Sequence, residues 1–70
     1  MFYKHQEVPT SNVAAIRKAA DLTQADLADA VGVTRQTIIA IEKGNYTPSV
    51  LLALKLAQAL SKKVEELFWL

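Results

Sequence analysis

From Ser11 onward, apolar residues return every three or four positions, and polar residues collect in the short breaks between these runs. That spacing belongs to helices with one buried face. No stretch alternates apolar and polar residues over six positions, so no strand is predicted. The first helix is expected over about Asn12–Ala20, with Ser11 as the N-cap whose hydroxyl accepts from a free first-turn amide. The second covers about Gln24–Val31. Thr23 caps it, and Asp26 three residues on completes a capping-box pattern. Gly32 follows, supplying a left-handed turn conformation that a β-carbon opposes. The third helix covers about Arg35–Lys43, capped by Thr34 and stopped by Gly44. The fourth is expected over about Pro48–Leu60, with proline in the first turn where its missing N–H costs nothing. A last short helix spans about Val64–Trp69. Five helices and no sheet make an all-α fold. Residues 1–10, polar and broken by Pro9, read as a flexible N-terminal arm, leaving residues 11–70 as the folded domain.

Composition narrows the function. With 70 residues the chain is one small domain, too short for a doubly wound sheet or a barrel. It has no cysteine and a single histidine, His5 in the arm, so neither a disulfide framework nor a zinc site is expected. No metal or cofactor is expected. The longest apolar runs, Ile38–Ile41 and Val50–Leu54, fall far short of the ~20 residues that cross a bilayer. The N-terminal MFYKHQEVPTS has no apolar core of a secretory signal, so the expected location is cytoplasmic and off the membrane. Asp26 and Asp29 form an i, i+3 carboxylate pair, but no base or nucleophile accompanies them, and an enzyme is not expected. The net charge of +1 lacks the basic excess of a nonspecific nucleic-acid binder. Any case for nucleic acid therefore rests on arrangement.

The arrangement lies in Gln24–Lys43. A helix of about eight residues, a turn of about three centred on Gly32, and a second helix are joined too tightly to separate and must cross steeply. Ala28 sits where the two helices cross, a place with no room for a larger side chain. At ~100° per residue, Gln36, Ala40 and Lys43 share the outward face of the third helix. Ile39 lies on its edge, Arg35 at its N-terminal corner, and Ile38 and Ile41 point away. A projecting helix fits the major groove of B-DNA, ~12 Å wide. Arg35 has the donors for guanine O6/N7, and Gln36 the amide for adenine N6/N7. Thr34 and Thr37 reach phosphates or bases, Gln24 offers an amide and a helix N-terminus to the phosphate backbone, and Lys43, Asn45, Tyr46 and Thr47 are placed for phosphates on the other rim.

Leu22–Gly44, LTQADLADAVGVTRQTIIAIEKG, resembles the helix-turn-helix of the Cro/CI-type (XRE) transcriptional regulators. The following NYTPSVLLALKLAQAL and VEELFW resemble its compact members, so that the likeness covers about Val13–Trp69. The resemblance implies a compact five-helix, lambda-repressor-like domain that binds palindromic operators in double-stranded DNA as a homodimer, usually as a repressor. It implies that Gln24 clamps a phosphate, that Arg35 and Gln36 are the main base readers, and that Thr34 and Thr37 contact phosphate or base. It also implies a buried pair, Arg17 with Glu42, tying the first helix to the end of the third. Ile39 stands where relatives often carry Ser or Asn, which suits a thymine methyl. Ser61 replaces a common glycine at the end of the fourth helix, and Lys63 the usual Ser/Thr cap of the fifth.

The fourth helix carries a second message. Its apolar residues Val50, Leu52, Ala53, Leu54, Leu56, Ala57 and Leu60 span about 220° of the wheel, whereas one buried face needs only ~100° or somewhat more. The chain then ends on Leu67-Phe68-Trp69-Leu70. A homodimer interface built from Leu51, Leu52, Leu56, Leu67, Phe68, Trp69 and Leu70 is expected to cover this surface. The rival reading is a protein-interaction module, such as an antitoxin, that offers the same face to another protein. With no separate ligand domain, sensing is expected to come through an antagonist protein, concentration or physical conditions.

Overall fold

A computed structural model describes residues 7–70. A short strand β1 (Thr10–Ser11) leads into helices α1 (Val13–Ala19), α2 (Gln24–Val31), α3 (Arg35–Glu42), α4 (Val50–Leu60) and α5 (Val64–Leu67), and the chain closes with strand β2 (Phe68–Trp69). The five expected helices are present, and side chains cap the starts of α2, α3 and α4. Thr23 Oγ1 accepts from Asp26 N at 3.0 Å and Asp26 Oδ2 from Thr23 N at 2.9 Å, so the capping box closes as the spacing predicts. Gly32, at φ 75°, ends α2 in the left-handed region. Ser11 Oγ does accept from Val13 N at 3.3 Å, but the cap position falls on Asn12, one residue later than expected. Likewise α4 begins at Val50 rather than Pro48: Ser49 is its cap, accepting from Leu52 N at 3.1 Å, and the proline stands just outside. Lys43 caps α3 instead of continuing it.

Both departures from consensus at the α4–α5 corner are accommodated. Ser61 takes the left-handed conformation (φ 54°) that a glycine adopts without strain. Lys63 has no acceptor to offer α5, but Glu66 Oε1 accepts from Lys63 N at 2.9 Å and makes the reverse half of a box.

The sequence reading misses one feature. Instead of running helical to Trp69, the chain becomes extended at Phe68, and Phe68 and Trp69 pair antiparallel with Ser11 and Thr10. Asn12 N adds a bond to Leu67 O at 2.8 Å, so the two ends of the domain are stapled together. Thr10 therefore belongs to the folded unit and not to the arm. Residues 7–9 of the arm are in neither helix nor strand, and residues 1–6, with His5, lie outside the described residues.

The core is Val13, Leu27, Ala28, Val31, Ile38, Ile41, Leu52, Leu56, Leu60 and Leu67. Ala28, expected at the α2–α3 crossing, is 2% exposed. Three residues assigned to a dimer interface are consumed here: Leu52, Leu56 and Leu67 are 7%, 0% and 0% exposed. With Leu60 at i+8, Leu52 and Leu56 form the inward stripe of α4 and cannot also face a partner. The large apolar residues left exposed on α4 and at the C-terminal end are Val50, Leu51, Leu54, Trp69 and Leu70, with Phe68 half-buried against the core.

Candidate nucleic-acid interface

The α2–turn–α3 unit is held from within. Val33 N bonds to Ala28 O at 3.0 Å, closing the turn after Gly32. Ile38 and Ile41, both fully buried, fix the rotation of α3 about its axis. That rotation turns Arg35 and Gln36 to solvent, followed by Lys43 about two turns on, with Ile39 and Ala40 half-buried between them. Thr34, Asn45, Tyr46 and Thr47 are exposed at the two ends of the helix, while Thr37 is half-buried. Gln36 and Lys43 thus face outward as expected, whereas Ala40 is half-buried.

A buried ion pair joins α1 to the end of α3. Arg17 Nε donates to Glu42 Oε2 at 2.6 Å and its NH2 to Oε1 at 3.2 Å, while NH1 reaches Leu22 O at 2.8 Å. Both side chains are buried, at 9% and 7% exposure. Burial pushes the Glu42 carboxyl up, but hydrogen bonds from Arg17 and Gln24 and the charges of Arg17 and Lys18 outweigh it, leaving it below the ordinary carboxylate range. The hydrogen bond to Glu42 likewise holds the Arg17 guanidinium above its usual value against the opposing effect of burial. The pair the resemblance implied is therefore present.

Gln24 is tied into it. Its Nε2 donates to Glu42 Oε1 at 3.1 Å, so the half-buried side chain commits one of its two N–H groups inside the protein. Sequence reasoning placed Gln24 at the rim but not in contact with α3; only the helix crossing brings it to Glu42. The side-chain bonds in this region engage Arg17, Gln24, Thr34, Thr37 and Glu42. Among the described residues, Arg35 and Gln36 take no part in any. Their donors are free to meet a ligand without first breaking an internal bond.

Charge follows the same division. Glu42 is the sole acid in α3 and is neutralised by Arg17, so Arg35 and Lys43 set the sign of the outer face as positive. Asp26, one of the i, i+3 carboxylates, is the second member of the α2 capping box: the hydrogen bond it accepts from Thr23 N, reinforced by the Thr23 side chain, keeps its carboxyl low. An exposed helix with free bidentate donors, a positive face and polar residues at both ends suits the groove of a duplex in shape and chemistry.

A family profile described as Helix-turn-helix matches residues 13–67. The HTH-type transcriptional regulator YgzD of Bacillus subtilis (strain 168) is 52% identical over 60 residues, 86% of this chain and 91% of that one. An HTH-type transcriptional regulator of Methanothermobacter thermautotrophicus is 57% identical over 53 residues, 74% of this chain and 77% of the other. Among solved structures, the restriction-modification controller protein C.AhdI of Aeromonas hydrophila superposes with a TM-score of 0.74 at 36% identity, covering 80% of this chain and 85% of its own. From the buried Ala28 to the free arginine and glutamine of α3, and across the whole span of these matches, the chain belongs to the XRE-type helix-turn-helix family of DNA-binding transcriptional regulators.

Proposed function

We propose that this regulator is a cytoplasmic, sequence-specific repressor that binds a near-palindromic operator as a homodimer, with α3 in the major groove. The observation that carries the reading is the exposed, internally uncommitted pair Arg35 and Gln36 on a helix whose rotation is locked by Ile38 and Ile41. In this reading Arg35 and Gln36 contact bases, Ile39 and Ala40 pack against them, and Gln24, Thr34, Lys43, Asn45, Tyr46 and Thr47 hold the backbone. The dimer rests on the outer stripe of α4, where Val50, Leu51 and Leu54 are 77%, 62% and 52% exposed on the side opposite the core. Pairing there, with Trp69 and Leu70 at the edge, sets two reading helices ~34 Å apart, one turn of the duplex.

The same stripe supports a second reading, in which it takes a different protein as antagonist or partner. Selection from random duplex DNA separates the two. Enrichment of an inverted repeat with half-sites about one helical turn apart supports the repressor. No enrichment even at low salt favours the protein-interaction module.

A further inference from the structure

Thr34 and Thr37 are coupled before any ligand arrives. Thr34 Oγ1 accepts from Thr37 N at 3.3 Å, and the two hydroxyl oxygens stand 3.2 Å apart. Each hydroxyl has one proton and two lone pairs. One lone pair of Thr34 is taken by the amide, which leaves two arrangements. Either Thr34 donates to Thr37 and has no proton left, or Thr37 donates to Thr34 and the Thr34 proton is free.

A phosphodiester oxygen accepts and never donates, so it selects the second arrangement. The placement of the two residues agrees. Thr34 is exposed, whereas Thr37 is half-buried and turned toward a shallow concavity walled by Val33, Tyr46 and Leu52. On the helix wheel Thr37 lies ~160° from Arg35, ~100° from Gln36 and ~60° from Ala40, at the margin of the face that meets bases. We propose that Thr37 is a positioning residue: its hydroxyl donates to Thr34 Oγ1 and thereby aims the single Thr34 proton at a DNA phosphate oxygen. Thr37 then reads no base. This rests on the DNA-binding reading above and adds a role that reading does not contain.

The test is a double-mutant cycle on the duplex enriched by selection, read as dissociation constants. Thr37→Val removes the hydroxyl at nearly constant shape, Thr37→Ser restores it, and Thr34→Gly removes the outer hydroxyl from a cap position that tolerates glycine. Thr37→Val is expected to weaken binding roughly 3- to 10-fold, the range of one net hydrogen bond, and by the same factor on operators changed at any base pair. Thr37→Ser returns to within about twofold of the parent. In the Thr34→Gly background, Thr37→Val costs nothing further. Thr37→Ala supplies the same deletion where valine lowers the melting temperature.

Additive losses in the double mutant, an altered base preference in Thr37→Val, or an unchanged affinity each overturn the relay while leaving DNA binding intact. A parent protein that binds no duplex overturns both, and is recognised before any variant is made.

Discussion

The buried ion pair makes a prediction whose sign depends on which partner is removed. In the parent, the Glu42 carboxyl lies below its unfolded value of 4.5, so its contribution to stability is present above that pH and is lost as pH falls through the lower, folded value. Arg17→Met deletes two of the three hydrogen bonds to Glu42, leaving the one from Gln24. Burial, the largest influence on the carboxyl, is then opposed only by the Gln24 bond and the charge of Lys18, and the folded value should move above the unfolded one. Stability of this variant is full below the unfolded value and declines as pH rises through the folded value. Glu42→Leu instead strands a guanidinium that cannot shed its charge and keeps only Leu22 O as acceptor. Breaking a buried pair costs roughly 3–5 kcal/mol, against a total stability of about 4–10 kcal/mol for a chain this size. Either single variant is therefore severely weakened at neutral pH. Denaturant unfolding at fixed protein concentration, at about pH 7 and again near pH 4, distinguishes them. Arg17→Met should regain stability on acidification while the parent loses it, and Glu42→Leu should show no such gain. The double variant Arg17→Met/Glu42→Leu should recover much of the loss, because no unpaired charge remains. Equal pH slopes for the parent and Arg17→Met would refute the reasoning.

Two further outcomes follow from the corner after α4 and from its outer face. Ser61→Gly relieves a left-handed residue at φ 54° and should add about 1 kcal/mol of stability, seen as a higher thermal midpoint with unchanged helix content. Leu54→Lys, at a half-exposed site outside the core, should leave the helical spectrum unchanged but shift sedimentation from dimer to monomer and weaken operator binding; a variant that sediments as the parent does would dismiss this face as the interface.

Much of this architecture is legible in local chemistry. Thr23 with Asp26, Gly32 at the turn and Thr34 at the start of α3 each satisfy backbone groups within a few residues, so their roles need no tertiary knowledge. The outward face of α3 is legible for a related reason: Ile38 and Ile41 leave only one way to turn the helix. The β1–β2 pairing is hidden because two residues at one end of the domain meet two at the other, and neither pair is long enough to alternate. The aromatic Phe68 and Trp69 have a weak strand preference that acts only once an edge is offered. The apolar arc of α4 is too broad to name its own inner face, so Leu52 and Leu56 read as interface until Leu27, Ile41 and Leu67 are placed around them. The bond from Gln24 to Glu42 spans two helices and exists only through their crossing.

The central claim, that the tips of α3 touch base edges, is tested most directly by Arg35→Ala on the selected operator. Affinity should fall by roughly 1–3 kcal/mol, and repeating the selection should show preference lost at one base pair of each half-site while the others persist. Undiminished affinity with an unaltered sequence preference would contradict the account.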